Sequence, residues 1–507
     1  MKSFWNTLHK IGDVLHLPDL PNWLIGVLAL VLILRIPTFF EPYNYGDEMI
    51  YLTLGQGVRQ GIHLYSGIYD NKPPLLYLTA AAAGSLFWFK AALALSDIIS
   101  IVILYRIAES LFAKNSKFQK IATITFALLT TLPLLEGGTA NAEGFMMLPT
   151  LFAFYILLTK SKKVINLLLS GVLFGIATLY KVPAAFELPV IMVYWLITSE
   201  FEKGKIKTLI RDSFFVVVGF LIPIAISLAW FYFQGDLAAY IKAAFLQNIG
   251  YLSSYRPGDV QKPFLERNAP LLIRGLIVLA GLIVITLARK KISKNFIFMC
   301  CWVLFVLFAI TLSERPYPHY FLQGVAPISL LLATLFTDKS IEQVFSIIPL
   351  TLAFFVPFYY KFWLYPITPY YLRFINFATG KITKMQYFSE FSMTTPRNYE
   401  IADFLTKSST PNQRVFMWDP DSPTVYALAR RLPGVKFVVP YHVNDYSSVN
   451  NIAAELTKNP PKFIIVTSAM SIPQISDLIK ENYILVMQVG NAEIFSKVYN
   501  SGNAAKQ

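Results

Sequence analysis

Cysteine is nearly absent from this chain, which has only two cysteines in 507 residues. The two are neighbours, Cys300 and Cys301, inside an apolar run, so no structural disulfide framework is expected. The chain also lacks a GxGxxG motif and a P-loop, which leaves nucleotide binding with little support. These absences argue against a disulfide-stabilised secreted domain and against a nucleotide-binding enzyme.

Charged residues are also scarce. They make up 15% of the chain, whereas hydrophobic residues make up 55% and include 41 Phe and 28 Tyr. This balance is unlike that of a soluble globular protein and predicts a polytopic α-helical membrane protein. A span needs about 20 mostly apolar residues to cross about 30 Å of hydrocarbon. About eleven runs approach that length, near 22–39, 90–112, 121–136, 141–159, 164–180, 183–198, 213–232, 269–288, 295–312, 320–337 and 342–360.

Acidic residues are fewer than basic ones, 30 against 44, which gives a formal net charge of +14. Nucleic acid is not the expected partner, because the basic excess falls on every second connector between predicted spans, including 114–120, 160–163, 203–211 and 289–294. Basic connectors mark the cytoplasmic side. We therefore expect a multi-pass cell-membrane protein with a cytoplasmic N-terminus. The first apolar run is long and has no small-residue cleavage site behind it, so no cleavable signal peptide is expected.

The pattern changes from about Arg397 onward. The short runs RVFMW, VKFVVP, PKFIIVT and YILVMQV are rich in β-branched and aromatic residues, and they alternate with the helix-like pieces NYEIADFLTKS and SPTVYALARRL. Alternating strands and helices predict a small α/β domain with a largely parallel sheet. We expect a membrane domain at 1–375, a linker at 376–396 and an extracytoplasmic α/β domain at 397–507.

Polar motifs recur in the connectors that are expected to lie outside the cytoplasm. Asp47 and Glu48 follow the first span in YNYGDEMIYL and precede a helix-like segment that could lie flat on the membrane. Taken alone, this acid pair is more typical of a helix cap than of a catalyst. Lys72 precedes two prolines in YDNKPPLLY, and a lysine held there by rigid backbone suits either a membrane anchor or a phosphate ligand.

The later outer connectors add more charged and aromatic residues. Glu143 lies in EGGTANAEGF and Lys181 in the tight turn LYKVPAAFE. A long connector at 233–268 suggests a loop over a site. The remaining candidates are in that connector and in SERPYPHYFLQGVAP: Tyr255, Arg256, Arg315, Tyr317, His319 and Tyr320. Each residue alone is consistent with an ordinary polar residue at the membrane interface, but together they place acids and cations on one surface.

The order of these motifs resembles the GT-C membrane glycosyltransferases. The resemblance is to the branch of protein O-mannosyltransferases, the lipid A aminoarabinose transferase and the Rgt-type sugar transferases, and it rests on the acid pair, D-x-K-P-P, an acid in the next outer hairpin and R-x-Y-P-H-Y. It implies transfer of one sugar from a polyprenyl-phosphate donor to a lipid, glycan or protein acceptor, with membrane lipids as surroundings.

The resemblance also implies roles for individual residues. Asp47 matches the acid that activates the acceptor hydroxyl, Glu48 is its companion, and Glu143 occupies the place of a second acid. Lys72 matches the lysine that holds the donor phosphate, Arg315 and His319 resemble late-loop residues near that phosphate, and Lys181 is a weaker match. Apart from the resemblance, the composition of the connectors makes Tyr317, Tyr320, Tyr255 and Arg256 candidates for contacts with the acceptor or within a loop.

The chemistry agrees with single displacement and inversion of the sugar. One carboxylate suffices to take the proton from an acceptor hydroxyl, and a cation must meet the charge of the leaving phosphate. Retaining enzymes use two carboxylates about 5 Å apart, and Asp47 and Glu48, being adjacent, cannot readily face one sugar together. A divalent metal shared by Asp47 and Glu143 stays open, although the sequence has no DxD element and no Cys/His cluster.

Two other functions remain open from the sequence. A transporter or flippase would place ionisable residues inside the membrane, where Arg35 and Asp97 are the candidates, in either a structural pair or a functional one. A scaffold or receptor would use the exported α/β domain to bind a ligand, but it would leave the acids and the DNKPP element unexplained.

Overall fold

The structure of the protein is a computed structural model that describes residues 20–199, 201–248, 263–337, 339–468 and 472–498. The first part of the chain is helical. Its α-helices, numbered here along the chain, are α1 Asn22–Arg35, α2 Gly46–Arg59, α3 Leu75–Ala83, α4 Leu86–Leu111, α5 Ser116–Thr131, α6 Ala142–Thr159, α7 Val164–Tyr180, α8 Leu188–Thr198, α9 Lys203–Phe233, α10 Leu237–Ile241, α11 Phe264–Ala288, α12 Lys294–Thr311, α13 Val325–Thr337, α14 Ile341–Phe345 and α15 Ile347–Tyr359. Short 3₁₀ segments at Ile36–Phe40, Pro133–Leu135, Val182–Glu187 and Pro318–Gly324 and a π-helical turn at Lys242–Leu246 connect them.

Eight helical segments among the described residues are long and apolar enough to cross a membrane. They are Asn22–Phe40, Leu86–Leu111, Ala142–Thr159, Lys203–Phe233, Phe264–Ala288, Lys294–Thr311, Pro318–Thr337 and Ile341–Tyr359. The expectation of a polytopic helical membrane protein is confirmed at this level. The other three predicted spans coincide with the shorter helices Ser116–Thr131, Val164–Tyr180 and Val182–Thr198. At about 1.5 Å per residue, helices of this length reach only about 25 Å, which is why they fall short of a full span.

Burial inside the bundle differs strongly between the spans. In Lys294–Thr311, 78% of the apolar window is buried by other protein segments, whereas in Phe264–Ala288 only 6% is buried. Apolar side chains left uncovered on such a helix suit contact with lipid tails. The former helix is therefore central in the bundle and the latter lies at its edge.

Arg35 and Asp97 form an ion pair between α1 and α4, and the two side chains are almost completely buried. Arg35 Nη2 also donates to the carbonyl oxygens of Thr130, at 2.9 Å, and Gly137, at 3.0 Å. The pair is therefore structural, because it ties two helices to the turn that follows α5.

The apolar pattern of helix α2 suggests that it lies flat on the membrane surface, but the structure shows that it is buried inside the protein. Met49, Tyr51 and Leu54 have no exposed surface, because α2 packs against α3 on one side and against the C-terminal region on another. Gly55 permits the close crossing with α3, since a Cβ at this position would lie 2.6 Å from the backbone nitrogen of Ala81.

The C-terminal region is a mixed α/β unit. Its elements are α16 Ile367–Ala378, α17 Lys384–Ser389, α18 Thr395–Ser408, β1 Val415–Met417, α19 Ser422–Ala429, α20 Pro440–Tyr446, α21 Val449–Lys458, β2 Phe463–Thr467, α22 Ser476–Asn482, β3 Tyr483–Val489 and β4 Ala492–Lys497. The strand order is β1-β2-β4-β3, in which only β1 and β2 are parallel and the other two pairs are antiparallel.

The prediction of a largely parallel sheet is thus wrong. The unpredicted strand β4 follows β3 after a turn at Gly490, whose φ of +55° suits the left-handed backbone of a tight hairpin. The predicted strand VKFVVP is not a strand of this sheet. Its Phe437 instead forms an isolated backbone bridge with Tyr69 of the membrane part.

Candidate active site

The backbone of Lys72 is held in place by two tyrosine hydroxyls. The Lys72 amide donates to the Tyr77 hydroxyl at 3.0 Å, and the Tyr65 hydroxyl donates to the Lys72 carbonyl at 2.9 Å. Pro73 and Pro74 follow and fix the local backbone before α3 begins at Leu75. The sequence therefore presents Lys72 from a rigid loop.

Asp47 lies in the first turn of α2, close to this loop. Its Oδ2 atom accepts a hydrogen bond from the Tyr51 hydroxyl at 2.8 Å and lies 3.6 Å from the ammonium of Lys72. Burial alone would raise the pKa of Asp47, but the charges of Lys72 and His319 outweigh burial and lower it. Asp47 is therefore held as a carboxylate, and its side chain is 29% exposed.

Lys72 and Lys181 line one cavity of about 330 Å³, called here the lysine cavity. The ammonium of Lys181 pairs with Glu143 and lies 3.7 Å from the centre of the Tyr320 ring. Burial lowers the pKa of Lys181, as does the nearby charge of Lys72, whereas Glu143 raises it. The remaining wall is mostly apolar, with Val182, Pro183, Phe186, Phe245, Ala309, Ile310 and Leu312. Two cations beside an apolar wall suit an anionic headgroup with a hydrocarbon tail.

Glu136 and His319 form a buried pair behind Glu143. His319 Nδ1 contacts Glu136 Oε2, its Nε2 lies 3.8 Å from Glu143 Oε1, and the Tyr45 hydroxyl donates to Glu136 Oε2 at 2.9 Å. Glu136 has a φ of +59°, an uncommon conformation for a residue other than glycine. Sequence reasoning missed Glu136, although an acid directly before Gly137 and Gly138, in a hairpin that the sequence predicts to lie outside the cytoplasm, is a signal that could have found it.

A second cavity of about 550 Å³ lies on the other side of this pair. Tyr45 and Glu136 belong to its wall, together with Glu41, Tyr370, Arg373 and Glu390, and we call it the glutamate cavity. Tyr45, Glu136, His319, Glu143 and Lys181 thus form one continuous line of polar contacts between the two cavities.

Glu48 is placed differently from its neighbour Asp47. Its carboxylate is 1% exposed, lies 3.0 Å from the ammonium of Lys90 and accepts the amide of Ala140 at 2.7 Å. Lys90 also pairs with Glu41 at 2.8 Å. Burial raises the pKa of Glu48, although the charge of Lys90 lowers it. The predicted catalytic companion is thus part of an interior ion network with Lys90, a residue that sequence reasoning did not single out.

The late-loop residues are only partly gathered at the site. Tyr320 lines the lysine cavity, and the ring of Tyr317 stacks on that of His319 with centroids 5.6 Å apart. Arg315 is half-buried two residues beyond Ser313, which lines the lysine cavity, but Arg315 does not belong to the cavity wall. Tyr255 and Arg256 lie outside the described residues.

A divalent metal at Asp47 and Glu143 does not fit the surroundings. Each carboxylate faces a lysine ammonium, from Lys72 and Lys181 respectively, and these charges would repel a cation. Within the described ranges, no group of three or more His, Cys, Asp or Glu side chains could hold a metal ion.

Two known protein families match separate parts of the chain, one in the membrane part and one in the C-terminal region. Residues 71–230 match the family described as dolichyl-phosphate-mannose-protein mannosyltransferase, and residues 396–501 match the C-terminal domain of the putative competence-induced protein Ccs4. No curated protein matches the chain by sequence.

Solved structures share the fold over nearly the whole chain. ArnT from Cupriavidus metallidurans, bound to undecaprenyl phosphate, is similar with a TM-score of 0.55 and 13% identity over 94% of this chain and 98% of that chain. Its apo form gives a TM-score of 0.54 and 14% identity over the same shares. The family match includes Lys72 and Glu143, and the similarity in fold covers 94% of the chain. Residues 71–230 are therefore similar to the dolichyl-phosphate-mannose-protein mannosyltransferase family, and the chain shares its fold with ArnT.

Proposed function

We propose that this protein is a glycosyltransferase that moves one sugar from a polyprenyl-phosphate donor to an acceptor hydroxyl on the extracytoplasmic side, with inversion at the anomeric carbon. The observation that carries the proposal is the Asp47 carboxylate 3.6 Å from the Lys72 ammonium, beside a cavity that Lys181 also lines. A base and two phosphate-binding cations are what such a transfer needs. The matched family and the undecaprenyl phosphate in the ArnT structure support this donor class.

The donor phosphate would bind between Lys72 and Lys181 in the lysine cavity. The apolar residues of that wall, such as Phe186 and Ile310, would contact the first isoprene units of the lipid. Lys181 would exchange part of its contact with Glu143 for the phosphate. The resulting pairing of two cations with one phosphate is strong where water is partly excluded.

Asp47 would act as the general base. As the acceptor oxygen bonds to the anomeric carbon, its proton passes to the Asp47 carboxylate, and the bond between the anomeric carbon and the phosphate oxygen breaks. The electron pair of that bond leaves with the lipid phosphate, which Lys72 and Lys181 stabilise. Because Glu48 is directed to Lys90, only one of the two neighbouring acids is available, which favours single displacement.

The acceptor would approach through the glutamate cavity. Its wall of carboxylates and tyrosines, including Glu41, Tyr45 and Tyr370, offers hydrogen-bond acceptors and donors to a hydroxyl-rich group. The polar line through Glu136 and His319 would then connect the acceptor side with the donor side. The outward orientation rests on the alternation of basic connectors along the sequence.

Replacement of Asp47 by asparagine tests the assignment. An amide side chain at this position cannot take a proton, so transfer in proteoliposomes supplied with lipid extract should fall by about 10²- to 10⁴-fold. Thermal stabilisation by added undecaprenyl phosphate should remain, because both lysines stay in place. Asp403→Asn is the control, since Asp403 is exposed and pairs with Lys407 within one helix of the C-terminal region. Normal turnover by the Asp47→Asn variant would remove Asp47 from the base role.

Transport, the alternative that the sequence left open, has less support. Arg35 and Asp97 are the ionisable residues within predicted spans that favoured it. Their pair is closed off from solvent, and Arg35 is anchored to the backbone at Thr130 and Gly137. Such a pair holds the turn that carries Glu136 and gives no support to a substrate path.

A further inference from the structure

The C-terminal region places a buried histidine against the loop that carries Lys72. His442 belongs to α20 and is 4% exposed. Its Nε2 atom lies 3.5 Å from Oδ1 of Asp70, which is itself 1% exposed and stands two residues before Lys72. A side chain from one part of the fold thus reaches the donor loop of the other.

Neighbouring contacts hold the same loop from the same side. The Tyr69 amide donates to the carbonyl of Lys436 at 2.9 Å, and the Asn71 side chain donates to the Tyr446 hydroxyl at 3.0 Å. The ring of Tyr69 lies 5.8 Å from that of His442. Three consecutive residues, 69–71, are therefore contacted by the C-terminal segment 436–446.

The histidine and the aspartate each keep one buried polar atom without a hydrogen bond. Among the described residues, His442 Nδ1 and Asp70 Oδ2 have no hydrogen-bond partner. Leaving such an atom unpaired costs about 1–3 kcal/mol, so packing alone does not account for a histidine here, where a phenylalanine would fill the aromatic cluster. Burial lowers the pKa of His442, and the charges that act on it include those of Asp70, Lys72 and Asp47. His442 is thus electrostatically linked to the active site.

We propose that His442 is a positioning residue for the donor site: it fixes Asp70 and thereby holds the Lys72 loop in the conformation that binds the donor phosphate. The inference rests on the proposed function, because it assumes that Lys72 is the phosphate ligand. It assigns the C-terminal region a direct part in donor binding. The physical reason is that a lysine loses side-chain entropy on binding, so a fixed backbone lowers the cost of placing its ammonium.

The test is binding of undecaprenyl phosphate to the purified full chain in detergent, measured as a dissociation constant for each of the following variants and for the double variant Lys72→Ala/His442→Phe. His442→Phe keeps the ring in the aromatic cluster but removes both nitrogens. His442→Gln restores an amide nitrogen at the position of Nε2, whereas His442→Asn places one near Nδ1. Lys72→Ala removes the ligand itself. The control is His63→Ala, because His63 also pairs with an aspartate, Asp236 at 2.6 Å, but its side chain is 50% exposed.

We expect His442→Phe to weaken binding about three- to tenfold. His442→Gln should recover most of the affinity, His442→Asn should not, and His63→Ala should bind as the natural chain does. In the Lys72→Ala background, His442→Phe should have no further effect, because a positioning residue acts through the ligand that it positions. The thermal midpoint of each variant is recorded alongside.

The outcomes separate the inference from the proposed function. Unchanged binding by Lys72→Ala would overturn the donor site itself. Weakened binding by Lys72→Ala with normal binding by His442→Phe would overturn only the role of His442. Equal losses from His442→Phe with and without Lys72 would also overturn it, since the histidine would then act independently of the lysine.

Discussion

Asp47 and Glu48 are adjacent in the sequence but make contacts in different places. Successive residues of an α-helix point about 100° apart, so Asp47 meets Lys72 and Tyr51 while Glu48 meets Lys90 and Ala140. The acid pair therefore combines a partly exposed carboxylate with a buried one. The direction of the two side chains within one helical turn thus places Asp47 at the candidate active site and Glu48 in the interior ion network.

The contact between Lys72 and Asp47 makes a prediction about pH. Burial raises the pKa of Asp47, and the charge of Lys72 is the first of the effects that lower it. In Lys72→Ala this lowering effect is lost, so the pKa of Asp47 should rise. The acidic limb of the pH–rate profile for transfer should then move to higher pH, because Asp47 becomes protonated earlier as the pH falls.

A pH–rate series in proteoliposomes at saturating donor checks this shift. Lys407→Ala is the control, because Lys407 is exposed and pairs with Asp403 in the C-terminal region. An acidic limb that stays in place in Lys72→Ala would mean that the lysine does not act on the base.

At the scale of elements, the crossing of α2 and α3 positions both members of the Asp47–Lys72 ion pair. Asp47 stands in the first turn of α2, and Lys72 stands on the loop that leads into α3. Gly55 allows the helices to approach closely enough for this contact. A methyl group there would lie 2.6 Å from the backbone nitrogen of Ala81 and 2.8 Å from the carbonyl carbon of Ala80.

Gly55→Ala should therefore destabilise the protein, even though alanine favours a helix. We expect a loss of about 1–3 kcal/mol in the free energy of unfolding, because backbone atoms cannot turn aside as side chains can. Gly26→Ala in α1 is the matched control, since a Cβ at that position meets no atom within 4 Å. Thermal unfolding in detergent measures both, and equal midpoints for the two variants would contradict the crowding argument.

The C-terminal sheet shows how much an element depends on its partners. The helix-like patterns at Thr395–Ser408 and Ser422–Ala429 predicted real helices, as did the apolar runs of the eight candidate spans. The strand-like pattern around Phe437 did not predict its partner, because a strand completes its hydrogen bonds with whichever backbone lies beside it. Here that neighbour is Tyr69 of the membrane part.

At the scale of the whole molecule, Tyr69 connects the membrane part with the C-terminal region. It is 4% exposed, and its ring lies 5.0 Å from that of Phe437 and 5.4 Å from that of Tyr446. A buried aromatic residue at such a contact contributes through packing and through area removed from water. The two regions are therefore expected to open together when this ring is lost.

Tyr69→Ala should cost about 3–5 kcal/mol of local stability, the range for truncating a buried aromatic side chain. Hydrogen exchange followed by mass spectrometry should show faster exchange in both 69–72 and 436–446. Tyr441→Ala is the control from the same segment, because Tyr441 is 47% exposed. Faster exchange in only one of the two segments would show that they are not coupled through Tyr69.

The sequence by itself determined the polytopic helical architecture, the α/β character of the C-terminal region and the choice of Asp47 and the DNKPP lysine as candidates. These follow from long apolar runs, from alternating patterns and from short motifs whose order is informative. Only the tertiary structure decided that the sheet is mixed, that Glu48 is buried against Lys90, that Glu136 pairs with His319, and that His442 lies against Asp70. The physical reason is that each of these features depends on a partner residue far away in the chain. Burial beside that partner sets the environment of a charged side chain, and no local sequence pattern encodes which partner it will be.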